Sequence, residues 1–388
     1  MTWRQWAGWT MGLALAAGGV AWLLSGDEEG APGNAPGFSV TGVLAGEDGA
    51  EGYARVTGPE PLDFPRDHGA HPGYRHEWWY LTGNLRDADG RHFGYQVTFF
   101  RFNVDPDAPS RASGLASNQV WMAHLAITDT AGERFYHAER LSRGGGGLAG
   151  AESDPFSIWL DDWRLESADR DTFMPLGLRA DDGDIALSLN LEAEKPLVLQ
   201  GDRGYSRKGP EPGNASRYFS FTRIATEGYL RLGDREFAVS GSSWMDREWG
   251  TSTLSEEQTG WDWFSIQLDN GRDIMFYHLR REDGSVDPLS KGLLVEADGE
   301  TRLLALEEVE LQASRHWDSP LGDARYPVAW RMRIPGEDLE LDLEARLDDQ
   351  ELRTGFRYWE GAIAIRGEQG GSPVRGVGYA ELTGYAGP

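Results

Sequence analysis

WWYLTGNLRDADGR, residues 78–91, recurs as WDWFSIQLDNGR, residues 261–272, once two residues of the first turn are left unmatched. This register sets Trp78 over Trp261, Tyr80 over Trp263, Thr82 over Ser265, Asn84 over Gln267 and Leu85 over Leu268. Side chains two apart on a strand point the same way, so the polar and aromatic pairs share one face. Each run ends in an Asp/Gly or Asn/Gly turn, which reads as a β-hairpin used twice. The other face of the first copy, Trp79, Leu81 and Leu85, reads as core packing, whereas the face with Trp78 and Tyr80 suits a ligand pocket.

Around the first copy the chain continues as short alternating runs, RHFGYQVTFFRF, QVWMAHLAITD, ERFYHAERLSR, PFSIWLDDWRLE and DIALSLNLEAEKPLVLQ, punctuated by DPDAPS, DTAGE, GGGG and ADDGD. Helical periodicity is scarce. The spacing predicts an all-β protein built as an antiparallel barrel or sandwich. The pattern repeats after the second copy, where Glu340, Asp342 and Glu344 alternate with Leu339, Leu341, Leu343 and Ala345. Two domains are expected, at 53–235 and 236–388, a division consistent with 388 residues.

Aromatic rings and carboxylates are densest in GSSWMDREWGTSTLSEEQTGWDWFSIQLDNGRDIMFYHLR, residues 241–280. Trp244, Asp246 and Glu248 fall on one strand face. An indole beside a carboxyl disfavours its charged form, so Asp246 or Glu248 is a candidate acid; the plainer reading pairs them with Arg247, Arg272 or Arg280. His76 opens the strand carrying Trp78 and Tyr80, and His124 shares a face with Val120, Met122 and Ala126 as a hydrogen-bonded or ligand-facing histidine. The loop 201–223, with Tyr205, Tyr218 and five basic residues, reads either as a lid or as a solvated connection. Trp359 and Glu360 form a second aromatic and acidic pair, read as closing the barrel.

Other chemistries find no support. His68, His71, His76 and Glu77 match no zinc spacing, so no metal is expected, and Gly144–Gly147 lack the Gly-Lys-Ser/Thr of a phosphate loop. No GxSxG elbow is present. The absence of cysteine excludes disulfides and thiol catalysis. A net charge of −26 argues against nucleic acid as a partner. At the N-terminus, an apolar run from Trp6 to Leu24 follows Arg4 and precedes Asp27, Glu28 and Glu29. Residues 1–25 read as an export signal or membrane anchor and 26–52 as a flexible linker, placing the rest of the chain in the periplasm or another extracytoplasmic space.

The blocks HEWWYLTGNL (76–85), KPLVLQGDRGYSRKG (195–209), RYFSFTR (217–223), GSSWMDREWG (241–250), GWDWFSIQLDNG (260–271), YWEGAIAIRG and GYAELTGY resemble the AttH-like secreted proteins related to carotenoid 1,2-hydratase (hydroxyneurosporene synthase). The resemblance spans nearly all the chain after about residue 55. It implies two lipocalin-like β-barrel domains in tandem, an aromatic barrel cavity for an isoprenoid- or lipid-like ligand, and no cofactor. It further implies acid-catalysed alkene hydration, with Asp246 or Glu248 as acid. Trp244, Trp261 and Trp263 would line the cation, and His278, Tyr218 or His76 would position water. The alternative is a non-catalytic lipid carrier serving an ABC exporter.

Overall fold

The computed structural model describes residues 50–107, 117–252 and 254–386. The apolar run 6–24 and all but the end of the linker 26–52 lie outside them. Among the described residues no helix is long and apolar enough to cross a membrane.

The first sheet starts as a meander of β1 (His76–Arg86), β2 (His92–Asn103), β3 (Gln119–Asp129) and β4 (Arg134–Ser142). The chain then runs through β5 (Ala149–Ser153), β6 (Phe156–Leu160), β7 (Trp163–Ser167), β8 (Leu176–Asp181) and β9 (Ile185–Ala193). Two stubs, β10 (Val198–Leu199) and β11 (Tyr205–Arg207), lie along the long β12 (Ala215–Leu232), and β13 (Arg235–Gly250) slots between β12 and β1. The second sheet holds β14 (Gln258–Leu268), β15 (Asp273–Arg281), β16 (Lys291–Val295), β17 (Thr301–Ala305) and β18 (Glu310–Asp318). It ends with β19 (Arg325–Ile334), β20 (Leu339–Ala345), β21 (Glu351–Leu352), β22 (Tyr358–Gln369) and β23 (Ser372–Leu382).

The strand orders are β4-β3-β2-β1-β13-β12-β9-β8-β7-β6-β5 and β17-β16-β15-β14-β23-β22-β20-β19-β18. Aligning β1 with β14, β13 with β23 and β12 with β22 sets the first nine positions of the first order against the nine of the second, strand for strand. The hairpin noticed in the sequence is thus the start of a duplicated architecture. Its turns close at Gly90 and Gly271, with φ of 83° and 86°, the left-handed region that favours glycine.

Each sheet is antiparallel and curls on itself. Trp79, Leu81 and Val97 from β1 and β2 pack in one cluster with Ile158, Leu178 and Leu189 from β6, β8 and β9. Phe264 and Ile266 from β14 similarly meet Trp330, Leu341 and Ile363. Apolar side chains from opposite walls meet because burying them removes the largest area from water. Two lipocalin-like curled sheets result. Among the described residues apolar side chains fill both interiors, so the aromatic cavity expected above lies in neither.

β13 pairs with β1 from His76↔Gly250 through Arg86↔Ser240. The division between the sheets therefore falls in 251–257, after this strand, and not before residue 236. Ladders to β1 on one side and to β12 on the other leave β13 no place in the second sheet. Trp244, Asp246 and Glu248 consequently belong to the first half.

Candidate functional site

Strand parity builds the site. With the odd-numbered side chains of β1 and β13 committed to the first core, the even-numbered ones face the second sheet. The matching face of β14 looks back. Between them lies a cavity of about 60 Å³, lined by Trp78, Tyr80, Asp246 and Glu248 from one sheet and Trp261, Trp263, Tyr277, Glu360 and Glu381 from the other. A single water needs about 10–15 Å³ by the same measure, so the space admits a few waters or the tip of a hydrocarbon chain.

Asp246 is 3% exposed. Trp244 Nε1 donates to its Oδ1 at 2.7 Å, Tyr218 donates to its Oδ2 at 2.5 Å, and Ser220 donates to Oδ1. Burial outweighs these three donors and pushes its pKa up to about 7. Glu248 is different, accepting from Lys208 and Ser216 as an ion-paired carboxylate. The Lys208 ammonium lies 5.7 Å from the Trp78 ring and 5.9 Å from that of Tyr277. Of two acids on one strand face, only Asp246 has no cationic partner in the described residues.

The arginines suggested as partners are engaged elsewhere. Arg247 points into the first core and joins Arg101 on Glu77, Arg272 holds Glu296 and Glu337, and Arg280 holds Asp262 at 2.9 Å.

Several expected site residues lie outside the cavity. Trp244 sits behind Asp246, its ring 6.1 Å from Trp263, and so orients the acid instead of lining a cation. His278 falls on the opposite face of β15, beside Phe276 in the second sheet, because it pairs in register with Asp262 and not with Trp261 or Trp263. Burial lowers its pKa to about 4. His76 stacks against Trp78 at 5.7 Å, and burial lowers its pKa to about 3, so it holds a neutral ring behind the wall. His124 does not touch the cavity either. It bonds the Tyr358 hydroxyl at 2.8 Å and Glu139 at 3.0 Å, so it fixes a lining tyrosine.

The loop 201–223 is neither a lid nor a solvated connection. Ser206, Lys208 and Asn214 are buried. β11 runs along β12, Ser206 meets the Tyr277 hydroxyl at 3.3 Å, and Gln258 donates to the Lys208 carbonyl at 2.8 Å. The three N-terminal histidines also part company: His68 stacks on Phe173 at 3.6 Å, while His71 lies between Asp67 and Glu77. Among the described residues no group of three or more His, Asp or Glu side chains is placed to hold a metal.

Sequence reasoning missed Lys208, Phe100, Tyr277, Tyr358 and Glu381, and read Glu360 as part of barrel closure. A signal for the acids was present. RYFS (217–220) matches RYWE (357–360), and GSSWMD (241–246) matches GVGYAE (376–381). The ladders confirm that alignment, since Tyr80 pairs with Asp246 and its counterpart Trp263 pairs with Glu381. Asp246 and Glu381 are therefore equivalent positions, as are Ser220 and Glu360. Trp359, next to Glu360, packs in the second core.

The duplicated architecture has counterparts among known proteins. A family model described as AttH-like matches residues 55–385. The crystal structure of a protein of Nitrosomonas europaea assigned as AttH is 36% identical, covers 86% of this chain and all of its own, and superposes with a TM-score of 0.75. Kievitone hydratase from Nectria haematococca, 16% identical, covers 86% of this chain and 96% of its own with a TM-score of 0.66, a likeness of fold. Dehydratase asqC of Emericella nidulans is 22% identical over 231 residues, a match spanning 56% of this chain and 64% of that curated relative. The family model spans most of the sequence, and the chain belongs to the AttH-like family.

Proposed function

We propose that this protein adds water to, or removes it from, an alkene-bearing isoprenoid- or lipid-like ligand held between its two sheets. The observation that carries this reading is Asp246: a carboxyl buried in an aromatic cavity, without a cationic partner in the described residues and proton-bearing up to about pH 7. Such an acid is matched to proton transfer near neutrality. When protonated, it donates through Oδ2 to the Tyr218 oxygen, which also accepts from Trp263 Nε1 at 3.1 Å. The tyrosine's own hydrogen is then free to face the ligand. Protonation of the alkene places positive charge on the neighbouring carbon, and the faces of Trp78, Trp261 and Trp263 stabilise it. A cavity this small encloses the reacting end of a long polyene, not its whole chain.

The relatives named as a hydratase and a dehydratase support the reaction class. The apolar run at 6–24 and the charges around it support action outside the cytoplasm.

The test is turnover of a panel of acyclic isoprenoids, read as a mass gain of one water. The wild type should hydrate at least one, and Asp246→Asn should lower that rate by about 10²–10⁴-fold. A wild type that leaves every isoprenoid unchanged, yet copurifies with an unaltered lipid, would instead identify a carrier, the role expected of a partner to an ABC exporter.

A further inference from the structure

We propose that Glu360 and Glu381 form a second proton-transfer station of the same cavity, sharing one proton and accepting another from the water that is added. This rests on the hydration reading. The two residues stand directly opposite each other on β22 and β23. Both line the cavity. Glu360 is fully buried, and its Oε1 accepts from the Tyr80 hydroxyl at 2.5 Å. Its Oε2 has no hydrogen-bond partner among the described residues. Glu381 Oε1 accepts from Trp261 Nε1 at 3.2 Å. A buried carboxyl oxygen left open toward a cavity calls for a donor from the ligand or from water.

No cation among the described residues is bonded to the pair, although the Lys208 charge acts on Glu381 from a distance. Lys208, the one cationic residue lining the cavity among the described residues, is bound to Glu248. From the first sheet, Tyr80, Tyr218, Asp246, Glu248 and Lys208 face this wall. From the second sheet the titratable neighbours are Tyr277, Tyr358 and Tyr379. Most of these are neutral or acidic, so two adjacent carboxylates would repel each other in a desolvated site. Aligned carboxyls in such surroundings hold one proton between them. Burial, reinforced by the neighbouring carboxyl, raises Glu360 well above the usual range, and burial pushes Glu381 up to about 8.

The step balances. The Asp246 proton moves to the Tyr218 oxygen as the tyrosine's own proton, with the π electrons, forms the new C–H bond. A water held at Glu360 Oε2 gives a lone pair to the resulting cation, forming the C–O bond. The oxonium proton passes to the Glu360–Glu381 pair. Alkene and water become an alcohol; the pair then releases its second proton to solvent and Asp246 takes one up from solvent, which resets both sites for the next cycle. Dehydration is the same sequence reversed.

The experiment uses the full chain. Infrared titration in D₂O follows the carbonyl stretch of protonated carboxyls in wild type, Asp246→Asn, Glu360→Gln and Glu381→Gln. The amide oxygen that Glu360→Gln introduces can still accept from Tyr80, so this variant should keep the fold, which near-ultraviolet circular dichroism checks. A band that survives in Asp246→Asn at neutral pH and titrates at lower pH once either glutamate is replaced supports the shared proton. A band unchanged by both glutamine variants overturns it. On any isoprenoid hydrated by wild type, Glu381→Gln should lower kcat by about 100-fold or more, keep ligand affinity by tryptophan fluorescence, and lose the acidic limb of the pH profile. Wild-type rates in Glu381→Gln would sink the pair while leaving hydration intact. A shared proton in a protein that hydrates nothing would sink the transfer role through the hydration reading instead.

Discussion

Asn84 and Gln267 make the same contact in opposite directions. Asn84 Nδ2 donates to the Gly378 carbonyl at 3.1 Å, and Gln267 Nε2 donates to the Ser243 carbonyl at 3.0 Å. The two amides are counterparts in the repeat. So are their acceptors, because Gly83 pairs with Ser243 while its counterpart Ile266 pairs with Gly378. Reciprocal contacts of this kind define a two-fold interface, here formed within one chain. The cavity lies in the same seam and draws on equivalent strands of each half.

Removing either amide should loosen that seam. Asn84→Ala and Gln267→Ala each leave a buried carbonyl without its donor, and each should cost about 1–3 kcal/mol. Denaturant unfolding followed by tryptophan fluorescence measures this; a variant with the wild-type midpoint would show that the reciprocal bonds do not hold the halves together.

Asp246 makes a signed prediction about pH and stability. Its folded pKa of about 7 lies above the ordinary carboxylate value of 3.8, so between these limits the folded state holds a proton that the unfolded chain has released. Stability from this group is complete below about pH 4 and is lost as pH rises toward 7. Asp246→Asn should therefore unfold like wild type in acid and be more stable by several kcal/mol, on the order of 4, above about pH 8. A difference that is constant with pH would contradict the raised pKa.

Glu77 behaves in the opposite sense. It is fully buried and accepts from Arg101 and Arg247, with the His71 amide at 2.9 Å. Burial opposes its charge, but the two arginines prevail and hold its carboxyl well below the usual range. Its contribution is present above the unfolded value of 4.5 and is lost as pH falls. Glu77→Gln leaves two buried guanidinium groups undercompensated and should cost about 3–5 kcal/mol at neutral pH. Thermal unfolding across acid and neutral pH should show this loss shrinking as the wild type is acidified.

Tyr218 separates proton delivery from binding. Tyr218→Phe keeps the ring in the wall but removes the hydroxyl between Asp246 and the cavity. Turnover of any hydrated isoprenoid should fall about 10²-fold or more, with affinity by tryptophan fluorescence unchanged. Equal losses in rate and affinity would assign the hydroxyl to binding alone.

Much of the molecule was legible from local pattern. The pleat of a strand sends alternate side chains to opposite faces, so Trp79, Leu81 and Leu85 read as core, and they are. The solvated Glu340, Asp342 and Glu344 likewise emerge opposite their leucines. Turn glycines and the repeated hairpin announced the duplication. The parity of His278 was also available, since pairing back from the Asn270–Gly271 turn opposes it to Asp262. Reading Trp244, Asp246 and Glu248 as one face was sound, although their strand belongs with the first sheet.

The sequence by itself determined which residues share a face, where the chain turns and which family the blocks resemble, because each of these depends on neighbours within a strand or on ordered motifs. Only the tertiary structure decided what each face meets. The apolar faces curl inward and fill both sheets, which leaves the aromatic and acidic faces to close on each other outside them. Lys208 reaches Glu248 across 40 positions, and Tyr80 reaches Glu360 across 280. Such partnerships, and the desolvation that separates Asp246 from Glu248, arise from packing between segments far apart in the chain.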